Sequence, residues 1–363
     1  MDFDLKRRLL LKVSPPSETD STLWIHCASV GEFNTVKPVL RELIKEFSIV
    51  LTYFSPRAKK YIEAVEGFYN WSLPLPLDIP FLIRRFENIF NPKALVIVER
   101  ELWFSLIRFT RCKKILINAY AKGNFIERLL IPKYSLILAR TEKDKEVFLK
   151  EGAKKVKVCG NLKLVQEEFP RLGKRKINVQ GKILVAGSTH KGEEEKILRI
   201  FKVLRKEIPL KLVIAPRHIS RAEEVLNISR KMGFRSALRT SYQQDWEVLV
   251  LDTLGELKDF YHLADVTFVG GTLIPLGGHN LLEPAFFGKP VIFGTYTSKV
   301  KDIEELLIKK GYGFKIRSEE EFTKVALYLL KKGFKPSEDF TELAHRVKEC
   351  YLWNIFSELK QLP

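Results

Sequence analysis

The chain has 363 residues, 45% hydrophobic and 29% charged, enough for two domains with separate cores at ~150 residues each. That balance excludes a low-complexity or fibrous chain, and no apolar run approaches the ~20 residues of a membrane-spanning helix. The net charge of +18 is spread evenly, with 29 basic and 20 acidic residues in positions 1–168, so it describes a broad positive surface suited to nucleic acid, anionic lipid or phosphorylated substrates.

The first residues, Phe3 to Lys12, are too short and too charged to span a bilayer or to act as a secretory signal. Two readings stay open for them: an amphipathic segment lying on an anionic membrane, or a helix packed on the protein itself. A Pro/Ser/Thr stretch, Ser14 to Thr22, reads as a linker. Apolar runs then predict strands at 23–28, 48–53, 94–98, 115–118, 136–139 and 156–158. Helical spacing predicts helices at 34–47, 56–66, 79–90 and 142–151. The stretch 166–181, with Pro170, Gly173 and the run Lys174-Arg175-Lys176, is the best candidate for a domain linker. Beyond it the alternation restarts, with strands at 183–186, 210–215, 248–251, 266–269 and 291–293. The intervening helices fall at 193–206, 221–232, 256–263 and 300–309, and a mostly helical tail follows from Glu319. Strands alternating with helices imply parallel sheets covered on both faces, with ligand crevices at the strands' carboxyl ends. Two such α/β domains, 1–168 and 169–363, would face each other across a cleft.

The four cysteines, Cys27, Cys112, Cys159 and Cys350, are scattered without a Cys-x-x-Cys pair or histidines at ligand spacing. They read as small core residues of a reducing compartment rather than as disulfides or metal ligands, and no metal site is expected.

The loops after the strands hold the residues with chemical potential. Ser29-Val30-Gly31-Glu32 makes a sharp strand-to-helix turn in which Glu32 meets a helix start, where the dipole favours the ionised form by ~0.3–1 kcal/mol. Glu32 is a candidate general base, with helix capping as its plain alternative. Glu99-Arg100-Glu101 follows the strand 94–98; Glu99 can share the site, while Glu101 reads as decoration of a helix start. Lys163, in Gly160-Asn161-Leu162-Lys163, can reach a phosphate or carboxylate or can be an ordinary surface lysine. In the second half, Gly187-Ser188-Thr189-His190, Pro216-Arg217-His218 and Leu254-Gly255-Glu256-Leu257 occupy equivalent positions. The richest loop is Gly270-Gly271-Thr272 through Gly277-Gly278-His279-Asn280-Leu281-Leu282-Glu283. Its glycines would let a phosphate approach backbone N–H groups at the start of a helix spanning 279–287, where Glu283 can meet ribose hydroxyls. No dinucleotide fingerprint follows the first strand of either half, and no Walker loop is present, so a redox or P-loop enzyme is disfavoured.

Taken together, Ala28-Ser29-Val30-Gly31-Glu32, Gly160-Asn161-Leu162-Lys163 and the loop from Gly270 to Pro284 resemble the bacterial 3-deoxy-D-manno-octulosonic acid (Kdo) transferases of lipopolysaccharide assembly. The resemblance implies an α/β GT-B fold of two Rossmann-like domains, the first holding the acceptor and the second the donor, CMP-Kdo. It implies that Glu32 is the catalytic base and that Glu99 and Lys163 stabilise the transition state. It implies contacts to CMP from Pro216, Arg217, Gly255, Glu256, Leu257, Asn280, Leu281, Leu282 and Glu283, with Ser188, His190, Gly278 and His279 as further phosphate or donor contacts. Transfer to lipid IVA would invert configuration and need no metal or other cofactor. Many family members begin with a membrane-spanning segment that this sequence lacks, so peripheral attachment to the anionic cytoplasmic face of the inner membrane is expected, with the segment 80–90 as one contact. Two other readings compete: a GT-B transferase using a UDP-sugar, and a non-catalytic polyanion-binding protein. The absence of RNP, KH or zinc-finger signatures weighs against a nucleic-acid partner.

Overall fold

A computed structural model of the chain describes residues 4–11, 13, 21–165, 181–241, 245–336 and 338–360. Residues 166–180 of the expected linker at 166–181, and most of that at 14–22, lie outside the described residues. Two compact units emerge: one of residues 1–167 with 343–363, the other of residues 168–342.

The first unit is built on seven strands: β1 (Thr22–His26), β2 (Ser48–Tyr53), β3 (Trp71–Pro74), β4 (Ala94–Val98), β5 (Lys113–Ala119), β6 (Leu136–Ala139) and β7 (Val156–Val158). They pair in the order β3-β2-β1-β4-β5-β6-β7, every pair parallel. All residues of β1 and β4 are buried, as expected where helices cover both faces of a parallel sheet. Trp24 of β1 anchors this core: its ring centroid lies 4.3 Å from that of Phe86, and its indole N–H donates to Thr52 Oγ1 at 2.9 Å, so the large ring is buried with its one polar atom satisfied. Helix Pro80–Phe90 turns Leu82, Ile83, Phe86 and Phe90 inward and leaves Phe81 exposed. The N-terminal segment packs on the protein: a short helix, Leu5–Arg8, precedes buried Leu10, and Arg8 Nε donates to the Leu75 carbonyl at 3.1 Å.

The second unit repeats the plan with β8 (Lys182–Thr189), β9 (Leu210–Pro216), β10 (Ser236–Leu238), β11 (Val248–Val250), β12 (Val266–Val269), β13 (Val291–Phe293) and β14 (Gly313–Lys315). Its order is β10-β11-β9-β8-β12-β13-β14, again all parallel. Leu184, Phe201, Leu212, Val225, Phe268 and Phe322 lie at the centre of its core.

Two expectations need correction. The sequence divides the chain once, at 168/169, but the last 21 residues belong with the first unit. Helix Phe340–Lys360 presents Val347, Tyr351, Ile355 and Leu359 at intervals of four, one buried stripe that needs an apolar surface. Lys348 pairs with Glu42 at 2.7 Å, Lys155 with Glu358 at 2.8 Å, and Tyr351 Oη donates to the Gly160 carbonyl at 2.7 Å. Nor are all four cysteines unpaired. Cys27 and Cys112 are free thiols, but Cys159 and Cys350, 191 positions apart, form a disulfide. Only the return of the terminal helix to the end of β7 brings them together, which spacing along the chain cannot disclose.

A cross-link closing so long a loop removes much of the unfolded chain's freedom. Reduction, or Cys350→Ser, is expected to lower unfolding free energy by roughly 2–4 kcal/mol in urea titrations with and without reductant. Identical midpoints would mean that the disulfide adds nothing.

Candidate active site

In the first sheet β1 and β4 are neighbours from which the chain winds in opposite directions, so a crevice forms beyond their carboxyl ends. Acidic residues arrive there from both strands. After β1, Ser29 caps helix Val30–Leu43: its Oγ accepts from the Glu32 amide at 3.2 Å and donates to Glu32 Oε1 at 3.1 Å. Glu32 Oε2 accepts from the Ala28 amide at 2.7 Å, closing a capping box one residue wider than usual. Capping and candidate base are therefore the same carboxylate. Burial pushes its pKa up to about 7, the charge of Glu101 adds to this, the Ala28 and Ser29 hydrogen bonds oppose it, and Glu99 gives a smaller upward push. The expected preference for the ionised form at a helix start is thus overridden, because desolvation and like charge outweigh the dipole.

After β4, Glu99 adopts a left-handed backbone (φ 64°), an arrangement that costs a non-glycine residue ~1–3 kcal/mol. Its Oε1 lies 2.8 Å from Arg140 Nη2, 3.3 Å from Asn118 Nδ2 and 3.8 Å from Lys163 Nζ. Lys163 is held by its own turn, in which Asn161 Oδ1 accepts the Lys163 amide at 3.0 Å and Asn118 Oδ1 accepts the Leu162 amide at 2.9 Å. Glu101 begins no helix. The next one starts at Phe104, and the Glu101 carboxylate accepts from the Trp103 indole at 2.8 Å; burial leads the rise in its pKa. Arg100 turns away to the buried Glu127 at 2.5 Å. The structure thus joins Glu99 to Lys163 directly and Glu32 to Glu99 through their fields. It adds Asn118 and Arg140, which sequence reasoning missed, and brings in Glu101, which the sequence offered only as decoration of a helix start. The available signal was position: Arg140 is the first residue after β6, and Asn118 is the penultimate residue of β5.

In the second sheet the equivalent crevice lies beyond β8 and β12. Here the glycine loop departs from expectation. Glu193, fully buried, accepts from the amides of Gly271 (2.8 Å), Thr272 (3.1 Å), Leu273 (3.0 Å) and His190 (3.0 Å). The Gly278 amide donates to the Gly271 carbonyl at 2.8 Å. These amides are turned inward to a protein carboxylate rather than outward to a phosphate. Gly270 is required for close packing, since a Cβ there would sit 2.3 Å from the Ser188 carbonyl and 2.8 Å from Glu193 Oε2. β8 also runs on through Thr189, so Ser188 lies within the strand, in a left-handed conformation (φ 55°).

The following helix spans Leu282–Phe286 rather than 279–287, because Asn280 Oδ1 takes the Leu282 amide at 3.1 Å and holds the residues ahead of it in a turn. His190 and His279 stack, ring centroids 4.9 Å apart, with their Nε2 atoms 2.6 Å apart, so one donates to the other. Burial leads the fall in both pKa values, followed for His190 by His218, Arg221, Arg217 and Lys299 and for His279 by His190, Arg217 and Lys299, with His279 brought down to about 4. Both rings are therefore neutral at pH 7 within a positive field that favours an anion. The fields of Arg217 and Lys258 also reach Glu283, whose pKa burial raises. Leu281 and Leu282 are buried, so any nucleotide contact they make is through the main chain. Gly255 makes a left-handed turn (φ 86°) into helix Leu257–Leu263, which packs on Leu282–Phe286. The Glu256 carboxylate is committed to Arg239 at 2.9 Å and to Thr253, while Pro216 ends β9 and sets exposed Arg217 beside Thr189. Among the described residues no group of three or more His, Cys, Asp or Glu is arranged to hold a metal.

Two parallel seven-stranded units, each with polar loops at its topological switch point, define the GT-B fold. The solved structure of MurG from Acinetobacter baumannii shares the fold, with a TM-score of 0.60 over 94% of this chain and all of that one at 10% identity. A family model described as 3-deoxy-D-manno-octulosonic-acid transferase (kdotransferase) matches residues 4–166. The sequence is 45% identical over 365 residues to the 3-deoxy-D-manno-octulosonic acid transferase of Aquifex aeolicus, all of both chains being covered. It is 32% identical over 314 residues to the enzyme of the same name from Haemophilus influenzae, covering 79% of this chain and 74% of that one. The chain belongs to the Kdo transferase family, and it is a Kdo glycosyltransferase.

Glu193 gives a direct test of how the glycine loop is held. Glu193→Gln would turn an N–H₂ group toward amides that need acceptors. It is expected to cost roughly 2–3 kcal/mol of stability, read as a lower melting temperature. An unchanged melting temperature would remove Glu193 as the loop's organiser.

Proposed function

We propose that the enzyme transfers Kdo from CMP-Kdo to a lipid A precursor, lipid IVA, with inversion and without a metal ion. The observation that carries the proposal is Glu32, a carboxyl with a pKa of about 7 at the switch point of the first sheet, beside the Glu99–Lys163 pair. In this reading Glu32 takes the proton from an acceptor hydroxyl as the oxygen attacks the anomeric carbon from the face opposite CMP. The new C–O bond forms while the bond to the CMP phosphate oxygen breaks, and CMP leaves with the electron pair. This is direct displacement as in inverting glycosidases, with a sugar hydroxyl in place of water. Lys163 and Arg217 supply positive charge for the carboxylate and the departing phosphate.

Donor recognition is assigned to the second unit, through Pro216 and Arg217, Gly255–Leu257 and Asn280–Glu283, with Ser188, His190, Gly278 and His279 toward the phosphate. Because the amides of Gly271, Thr272 and Leu273 serve Glu193 and that of Gly278 serves the Gly271 carbonyl, the anion's partners in this reading are chiefly the Arg217 and Lys299 side chains rather than a backbone cradle. No additional cofactor is required by this chemistry. Among the described residues no helix is long and apolar enough to cross a membrane. Exposed Phe81 and Ile79, with the high positive charge, support peripheral attachment to the anionic cytoplasmic face of the inner membrane.

Incubation with CMP-Kdo and lipid IVA should release CMP and add the mass of Kdo to the lipid. Release of UDP from a UDP-sugar instead would overturn the donor assignment. Glu32→Gln is expected to reduce turnover by at least ~100-fold while CMP binding by calorimetry stays near wild type. Because a base must be ionised, and the Glu32 carboxyl is protonated below its pKa, kcat/KM is expected to rise with pH through about 7 and then level off. A flat profile across that range, or full turnover in the glutamine variant, would dismiss Glu32 as the base.

A further inference from the structure

Three acidic side chains, Glu32, Glu99 and Glu101, converge at the end of β1 and β4, where burial and mutual repulsion raise the pKa of Glu32 and Glu101. Something must hold Glu99 in one orientation within that field. Its carboxylate meets side chains from three elements: Arg140 after β6, Asn118 near the end of β5, and Lys163 in the turn after β7. Lys163 stands furthest, at 3.8 Å, with nearly half of its side chain exposed. Arg140 is the closest, at 2.8 Å, and its side chain is 10% exposed.

Arg140 is itself fixed from two sides. Its Nε donates to the Asn118 carbonyl at 2.9 Å, and its guanidinium lies over the Tyr120 ring, 4.5 Å from the centroid. Asn118 is fully buried with a left-handed backbone (φ 51°), at the point where the β5–β6 register shifts. That irregularity lets one residue serve three partners: Nδ2 to Glu99, Oδ1 to the Leu162 amide and the main-chain carbonyl to Arg140. The turn carrying Lys163 and the strained Glu99 are therefore tied to the same asparagine.

We infer that Arg140, braced by Asn118, is a positioning residue for the transfer reaction: it holds the Glu99 carboxylate aimed, so that Glu99 in turn keeps Lys163 poised at the acceptor's side of the site. The inference rests on the reading of Glu99 and Lys163 as residues of the transfer site. It goes beyond that reading by naming the group through which they are set. A lysine at 140 keeps the charge but loses the planar fork, which must meet Glu99 and Asn118 together.

The test is a double-mutant cycle on the full chain, measuring CMP release with CMP-Kdo and lipid IVA. Arg140→Met is expected to lower kcat about 10- to 100-fold, with KM for CMP-Kdo within about twofold of wild type, and Arg140→Lys is expected to recover part of the loss. Because Arg140 acts through Glu99, adding Arg140→Met to Glu99→Gln should change kcat by less than about threefold. Melting temperatures of all variants identify any that fail to fold; Asn118→Asp, which keeps the acceptor and size, supplies a second perturbation of the same tie and should also reduce kcat. A full additional loss from Arg140→Met in the Glu99→Gln background would show a merely structural role and overturn the inference alone. Wild-type turnover in Glu99→Gln would take down both the inference and the reading beneath it. A wild-type enzyme that does not use CMP-Kdo would strike the reading first.

Discussion

Like charges crowded at the end of two buried strands are the constraint on which the first unit depends. Three glutamates meet where a doubly wound sheet opens, and burial makes ionisation costly for Glu32 and Glu101. Capping hydrogen bonds at Ala28 and Ser29, an indole N–H at Glu101, and the Arg140–Asn118–Lys163 set at Glu99 distribute the compensation. Glu32 keeps two hydrogen bonds, from the Ala28 amide and the Ser29 hydroxyl, against burial and two neighbouring carboxylates, which is why its carboxyl can titrate near neutrality. A base that is too well paired would hold its charge and be a poor acceptor of a proton.

The second unit handles a buried carboxylate in the opposite way. Four amides converge on Glu193, so its charge is absorbed by the backbone of the glycine loop and becomes a structural anchor. Glu193 is fully buried, while the positive fields of Arg217 and Lys299 act on the His190–His279 pair beside the loop. In both units a residue with strained backbone sits at a strand's carboxyl end: Glu99 after β4, Asn118 near the end of β5, Ser188 near the end of β8. The rest of each sheet is regular parallel β-structure, rigid enough to keep those few residues in unfavourable conformations.

The C-terminal helix joins this arrangement from far along the chain. Its disulfide, its Tyr351 hydroxyl on Gly160 and its ion pairs with Glu42 and Lys155 all converge on the first unit. Two of these contacts hold residues 159 and 160, immediately before Asn161 and Lys163. A segment remote in sequence therefore fixes the turn that presents the lysine.

What the amino-acid order determined by itself was local and periodic. Apolar runs located β2, β4, β6, β12 and β13 at their observed bounds, because a strand buried on both faces is written as a largely unbroken hydrophobic word. Short or half-buried elements such as β3, β10 and β14 carry too few residues for a period to show, and they were missed. Glu32, Glu99 and the loop from Gly270 were legible because turn chemistry and acidic residues stand directly after recognisable strands. The tertiary structure alone decided which groups complete them. Arg140, Asn118, Glu193 and Cys350 act on partners 22 to 191 positions away, and a hydrogen bond or cross-link between such residues is set by sheet order and helix return, which leave no periodic trace in the chain.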